Sequence, residues 1–189
     1  MYSKLSITER MKISAALCCL AVALAECASI TFKADQSACS DISFAWTISY
    51  DTKNWTKLAS IVAPVLHVDL TGVLGPGFDF PAQPAAEYIA TVNAPDRLGN
   101  PLVATQHLLG ASTWSRPASN SITATYQFRG QHLRFSGNVE GNRTNVPLAT
   151  AVMYGTVDHY FVKKYNVWKL SGLKPTTFFV EGNLTAIFA

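Results

Sequence analysis

An α+β domain, with N-terminal helices packed on a strongly curved antiparallel sheet, is predicted for this chain of 189 residues from three observations. Apolar residues recur at helical spacing up to Val92, they alternate in strand fashion after Pro101, and helical and strand segments are segregated along the chain rather than alternating as βαβ units. No repeat, low-complexity linker or mid-chain shift in composition interrupts the pattern, so a single domain is expected.

The elements follow in order. From Ser40, with Asp41 able to cap, Ile42, Ala45, Trp46 and Ser49 share a helical face; after Asp51, Trp55, Leu58, Ala59 and Val62 repeat at i, i+3, i+4 and i+7, and Pro64 marks the stop. Val65 to Leu70 is rich in strand formers, and alternation puts His67 and Asp69 on one face and Leu66, Val68 and Leu70 on the other. A loop with Gly72, Gly75, Pro76 and Gly77 follows. Ala85, Tyr88, Ile89 and Val92 are again helical, behind a proline that a first turn tolerates. Ile122, Ala124, Tyr126 and Phe128 then alternate with Thr123, Thr125 and Gln127. Leu148 to Val162 is long enough for a curved strand, with Tyr154, Thr156, Asp158 and Tyr160 on one polar-aromatic face, and Val167 to Leu173 and Thr177 to Val180 complete the set.

Composition narrows the function. With 49% apolar and only 14% charged residues the chain is not disordered, and it suits an apolar cavity and an apolar small-molecule substrate. Three cations and one acid fall in the first 25 residues, so the remainder is close to neutral. Lys163-Lys164 is the only later basic doublet, which leaves phosphate-backbone binding without its electrostatic source and excludes nucleic acid as an expected partner. Residues 13–25 form an uncharged apolar run behind Lys12, ending in Ala23-Leu24-Ala25; residues 1–25 read as a signal peptide or an apolar N-terminal helix, followed by the domain over 26–189. The run is short for a stable membrane span, which needs roughly 20 residues. The expected location is the secretory pathway or outside the cell, with cytoplasmic or endosomal placement as the alternative. Sequons at Asn54, Asn142 and Asn183 fit secretion and a glycoprotein. Cys18, Cys19 and Cys27 lie in or beside the leader and Cys39 stands apart, so no disulfide framework is expected. His67-Val-Asp69 and Asp158-His159 have no third ligand fixed by spacing, and no metal or cofactor is expected. There is no nucleophile elbow, phosphate loop or dinucleotide fingerprint.

Four segments carry a resemblance: Ile48-Ser-Tyr-Asp-Thr-Lys-Asn-Trp55, Thr-Gln-His107, Arg-Gly-Gln-His132 and Val-Trp168-Lys-Leu-Ser-Gly-Leu-Lys-Pro175. Together, from about Ile30 to Pro175, the chain resembles the scytalone dehydratase family, whose cone-shaped fold is of the nuclear-transport-factor-2-like type. The resemblance implies removal of water from a polyketide-derived hydroxy-ketone in fungal secondary metabolism, without a cofactor. It also implies the residues. Tyr50 and Asp51 match a Tyr-Asp pair, His107 and His132 match two histidines, and Thr156 takes the place of a serine. The implied roles are proton transfer by His107, oriented by Thr156, and by His132, partnered by Asp51, while Tyr50 polarises a carbonyl, directly or through water. Leu70 stands where the family has a second tyrosine, and Asp158 where it has an asparagine. Both changes point away from scytalone itself and toward a related polyketide such as a reduced naphthol or anthrone. Met153 and Tyr154 are candidate substrate contacts, and Tyr88, Trp114, Tyr126, Phe135 and Phe161 candidate walls or core. A homotrimer is implied by the same family. Two competing functions use the same pocket: isomerisation or cyclisation of a related metabolite, and non-catalytic binding of an apolar metabolite.

Overall fold

The computed structural model describes residues 30–136 and 146–189. The predicted leader and the Asn142 sequon lie outside the described residues. Residues 38–189 form one compact unit, and of the residues before it 30–37 are described and are helical. Within the larger unit the chain runs as the remainder of helix α1 (to residue 51), α2 (Trp55–Ile61), β1 (Val62–Asp69), the single turn α3 (Thr71–Leu74), β2 (Asp79–Pro84), α4 (Ala85–Val92), β3 (Val103–Ala118), β4 (Ser121–Arg134), β5 (Ala149–Lys164), β6 (Val167–Gly182) and the short C-terminal α5 (Leu184–Ile187).

Six strands make one sheet in the order β2-β1-β6-β5-β4-β3. The expectation of a wholly antiparallel sheet needs one amendment: β1 runs parallel to β6, so the sheet is mixed. Hairpins tie β3 to β4 and β5 to β6 and force those pairs antiparallel, whereas β1 and β6 are joined only through most of the chain, and no short connection sets their relative direction. The tight β5–β6 turn has Tyr165 at φ 49° and Asn166 at φ 62°, the doubly positive geometry that matches the twist of a two-residue hairpin.

Three local expectations shift. Lys53, at φ 54°, separates α1 from α2, and the Asn54 side chain caps α2 by accepting from the Lys57 amide at 2.8 Å. Helix α2 ends at Ile61, and Pro64 falls inside β1 rather than closing the helix. The proline is accommodated because the register to β6 is irregular between Val62 and His67, where its missing N–H is not needed. The two expected C-terminal strands are one continuous strand through Pro175, because β1 ends its pairing near Leu173 and leaves that edge of β6 largely open.

The core lies between the helices and one face of the sheet. Leu58, Leu66, Ile122, Phe161 and Leu170 are fully buried, each contributing roughly 1.5–3 kcal/mol. A satellite cluster of Val103, Ala151 and Ile187, backed by Leu184 and Phe188, fastens α5 to the ends of β3 and β5. His159 is fully buried beside Tyr126 and Phe161, its Nδ1 2.8 Å from Ser43 Oγ and its ring edge-on to Trp46 at 4.8 Å. Burial pulls its pKa from the ordinary 6.5 down to about 3.

That depression has a consequence for stability. Unfolded His159 binds a proton near pH 6.5 while the folded residue resists until about pH 3, so the unfolded state holds more protons in between and stability falls as pH drops through that window. His132, lowered to about 4, adds to the loss in the same sense. Denaturant unfolding is expected to show a progressive loss of several kcal/mol between about pH 6.5 and 4. A flat profile there would contradict the buried neutral histidines.

Candidate active site

The last turn of α1 supplies the first wall. Trp46 and Tyr50, four residues apart, share one helical face, and Asp51 follows beside β3. Its carboxylate gathers three donors: Thr105 Oγ1 at 2.9 Å, the His107 amide at 2.9 Å and His107 Nδ1 at 2.6 Å. An ionised carboxylate only accepts, so the proton of His107 sits on Nδ1 and the lone pair on Nε2. Thr105 and His107 lie on the same strand face, which is why one carboxylate reaches both.

His132 comes from β4. In the register Thr105 faces His132 and His107 faces Gly130. The two imidazoles meet edge to face with centroids 5.6 Å apart. Nδ1 of His132 is buried with no hydrogen-bond partner among the described residues. Burial, reinforced by neighbouring His107, holds its pKa at about 4, so it is neutral at physiological pH.

Opposite the imidazoles stands a pair of phenols. Tyr88 of α4 and Tyr50 are hydrogen-bonded through their hydroxyls, and Trp46 Nε1 donates to Tyr88 Oη at 3.2 Å. Burial is the main cause raising both hydroxyl pKa values, Tyr88 to about 12, so both phenols keep their protons near neutrality. These groups border a cavity of about 270 Å³ that is otherwise almost wholly apolar, walled by residues such as Leu70, Phe78, Phe128, Met153, Val157 and Leu173, with Leu184 and Phe188 of the C-terminal segment also in its lining. The size falls near the lower end for small-molecule pockets, ~300–1,000 Å³. Arg97 at its margin is the lining residue with a permanent charge.

The structure therefore brings together Tyr50, Asp51, His107 and His132, with Leu70 and Met153 in the wall. It does not form the two expected pairings: Asp51 binds His107, not His132, and Thr156 does not orient His107. Thr156, Asp158 and Tyr154 lie on the outer face of β5. From Met153 onward the strand alternates, with Met153, Val157, His159 and Phe161 buried and Tyr154, Thr156, Asp158 and Tyr160 half-buried and turned the other way; nearer its start Ala151 and Val152 are both buried. Asp158 accepts from Thr125 Oγ1 at 2.6 Å, and Tyr154 stacks on Phe179 at 4.6 Å with its hydroxyl on Glu181. Thr156→Ala and Asp158→Asn are expected to change turnover by no more than about twofold, since neither side chain borders the cavity. A larger loss in steady-state rates would show that the outer face feeds the site. Tyr88 and Trp46 were not singled out as polar site groups by sequence; the available signal was the helical spacing that puts Tyr88 on the buried face of α4.

A polar cluster on the other face joins His67, Asp69 and Asp79, whose ligating atoms lie within 4.8 Å of one another. It is held by protein groups: His67 Nε2 is 2.8 Å from Asp79, and Asp69 takes Lys174 at 2.8 Å and the hydroxyl of Thr71. The Lys174 ammonium and Thr71 keep the Asp69 carboxyl far below the usual carboxylate range.

Helices packed against a six-stranded mixed sheet, with an apolar cavity beside them, give the nuclear-transport-factor-2-like fold. The profile of the family described as scytalone dehydratase matches residues 29–189, and the chain belongs to that family. Family membership implies a dehydratase, a lyase by class. Among curated relatives, a scytalone dehydratase-like protein of Claviceps purpurea is 33% identical over 155 residues, covering 82% of this chain and 94% of its own. The scytalone dehydratase arp1 of Aspergillus fumigatus is 35% identical over 158 residues, covering 82% and 88%. Among solved structures, the Kfla4162 protein of Kribbella flavida superposes with a TM-score of 0.66 at 19% identity, covering 82% of this chain and 97% of that one, a likeness of fold alone.

Proposed function

We propose that the protein is a cofactor-independent dehydratase that removes water from a polyketide-derived cyclic β-hydroxy ketone in fungal secondary metabolism, with His107 as the proton shuttle. The observation that carries this reading is the 2.6 Å contact between Asp51 and His107 Nδ1 beside an apolar cavity. Nε2 of neutral His107 takes the proton α to the substrate carbonyl, and Asp51 stabilises the imidazolium so formed. The electron pair moves onto the carbonyl oxygen, where a phenol hydroxyl donates to it. As the carbonyl re-forms, the β C–O bond breaks and the departing hydroxide takes the proton back from His107, giving enone, water and neutral histidine. His132 stays neutral and hydrogen-bonds the leaving hydroxyl; with so low a pKa it is not the source of that proton. One histidine serving both transfers requires the α-hydrogen and the hydroxyl on the same face of the ring.

Names borne by the relatives support dehydration, and the apolar wall supports an aromatic polyketide. Leu70 in the wall supports a substrate other than scytalone. Incubating purified protein with extracts rich in cyclic hydroxy-ketone intermediates and following products by mass spectrometry tests the reading. Loss of the mass of one water supports it; conversion without change of mass moves the assignment to an isomerase or cyclase, and ligand capture without conversion moves it to a carrier. Self-association through the end of β6 belongs to the same proposal, because Phe178, Phe179 and Val180 leave apolar side chains in water there. Light scattering that returns a monomer would remove it.

A further inference from the structure

The phenol pair has more donors than its own hydrogen bonds consume. Tyr50 and Tyr88 each bring one O–H, and one bond joins them. Trp46 Nε1 brings an N–H that ends on Tyr88 Oη. If Tyr88 donates to Tyr50, the Tyr50 proton is left over; if Tyr50 donates to Tyr88, the Tyr88 oxygen has filled both lone pairs and its own proton is left over. Either way one phenolic proton has no acceptor among the described residues, and both rings line the cavity. Both side chains are buried, so the spare proton has the cavity as its outlet.

We infer that Tyr50 and Tyr88 act as one two-phenol donor site, with Tyr88 a second catalytic hydroxyl, and that this site selects ligands presenting a localised oxyanion, an enolate or a phenolate, on an otherwise apolar ring. The word catalytic rests on the dehydratase reading above; the oxyanion selectivity does not. When negative charge develops on a ligand oxygen, the phenol holding the spare proton donates to it, and the second phenol donates to the first. Each hydrogen bond strengthens the next, while the Trp46 N–H anchors the far end of the chain on Tyr88. Apart from this pair, Trp46 and the imidazoles, Thr91 and Arg97 are the lining residues whose side chains carry donors, and the remaining wall is apolar. Replacing either phenol by phenylalanine leaves Thr91 and Arg97 in place, so the change in discrimination between a charged oxygen and a neutral isostere of the same shape reads the share that this pair supplies. The pair spans two elements, the end of α1 and the middle of α4, so its geometry is set by helix packing rather than by a mobile loop.

The test needs no identified substrate. The full chain, its Tyr88→Phe and Tyr50→Phe variants and the double variant are titrated with para-nitrophenol, at a pH where it is half ionised in water, and with nitrobenzene, which has the ring but no hydroxyl. The phenolate's visible absorbance reports its state when bound. The wild type is expected to bind the phenolate in preference to nitrobenzene. Each single variant is expected to lose roughly 10-fold or more of phenolate affinity while nitrobenzene binding is retained, and the double variant to lose less than the two losses multiplied, because the phenols act as one unit. Should Tyr88→Phe not fold, Tyr50→Phe reads the same pair. Equal weakening of both ligands, or no weakening of the phenolate, or a wild type without the preference, overturns the inference. Phenolate selectivity in a protein that turns over no hydroxy-ketone leaves the donor pair standing and sinks only the dehydratase reading; turnover without selectivity does the reverse.

Discussion

His107→Ala is expected to lower turnover by about a thousandfold while leaving most substrate affinity intact, the size of effect that removal of a positioned acid–base group produces. The variant deletes the acceptor for the α-proton and the donor for the leaving hydroxide together, and no neighbour replaces it: His132 is held neutral at about pKa 4 and lacks a carboxylate partner. Asp51→Asn separates proton transfer from mere packing. The amide has nearly the shape of the carboxylate and can still accept from Thr105 or the His107 amide, but it no longer stabilises an imidazolium and can present its own N–H to Nδ1, favouring the wrong tautomer. A loss of about a hundredfold or more in kcat with little change in KM is expected, measured by steady-state kinetics on the substrate that mass spectrometry identifies. If Asp51→Asn retains near-full turnover, His107 is not the shuttle.

Gly155→Ala is expected to damage the fold severely. An ideal Cβ at this position would come within 1.9 Å of the Thr176 carbonyl oxygen, 2.9 Å of its carbon and 3.1 Å of Thr177 Cα. All three are backbone atoms of the neighbouring strand, so no side chain can swing aside. Relief requires β5 and β6 to separate where β6 already bulges between Thr177 and Phe179. A cost of roughly 3 kcal/mol or more follows, a large share of the 5–15 kcal/mol that holds a domain together. Because Met153 and Val157 flank this position in the cavity wall, ligand binding should fall along with the melting temperature. Thermal unfolding that is unchanged in the variant would show that the strands have room to give.

Much of the architecture was legible because local chemistry and tertiary need agree. The helical spacing of Trp46 and Tyr50, the Pro84 entry to α4 and the alternation of β4 from Ile122 to Phe128 all read correctly, since each records a single buried face. The site was legible in part. Tyr50, His107 and His132 line the cavity, and Asp51 stands behind His107, within the segments whose resemblance pointed to them. Thr156 and Asp158, implied by the family pattern, fall on the face of β5 away from the cavity. A period of two makes a shift of one residue a change of face, and the more apolar odd-numbered set from Ala151 to Phe161 is the local signal of which face is buried. Tyr88 was visible only as a buried helical position, because nothing local says that its hydroxyl ends on Tyr50, a residue 38 positions away.

By itself the sequence determined the α+β class, the family and the near-neutral, apolar character that suits a small greasy ligand, because composition, short motifs and short-range periodicity are properties each segment carries alone. Only the tertiary structure decided who pairs with whom: Asp51 with His107, Tyr50 with Tyr88, and β1 parallel to β6. Those contacts join residues far apart in the chain, and their geometry follows from how the packed helices and the register of the sheet bring distant side chains together.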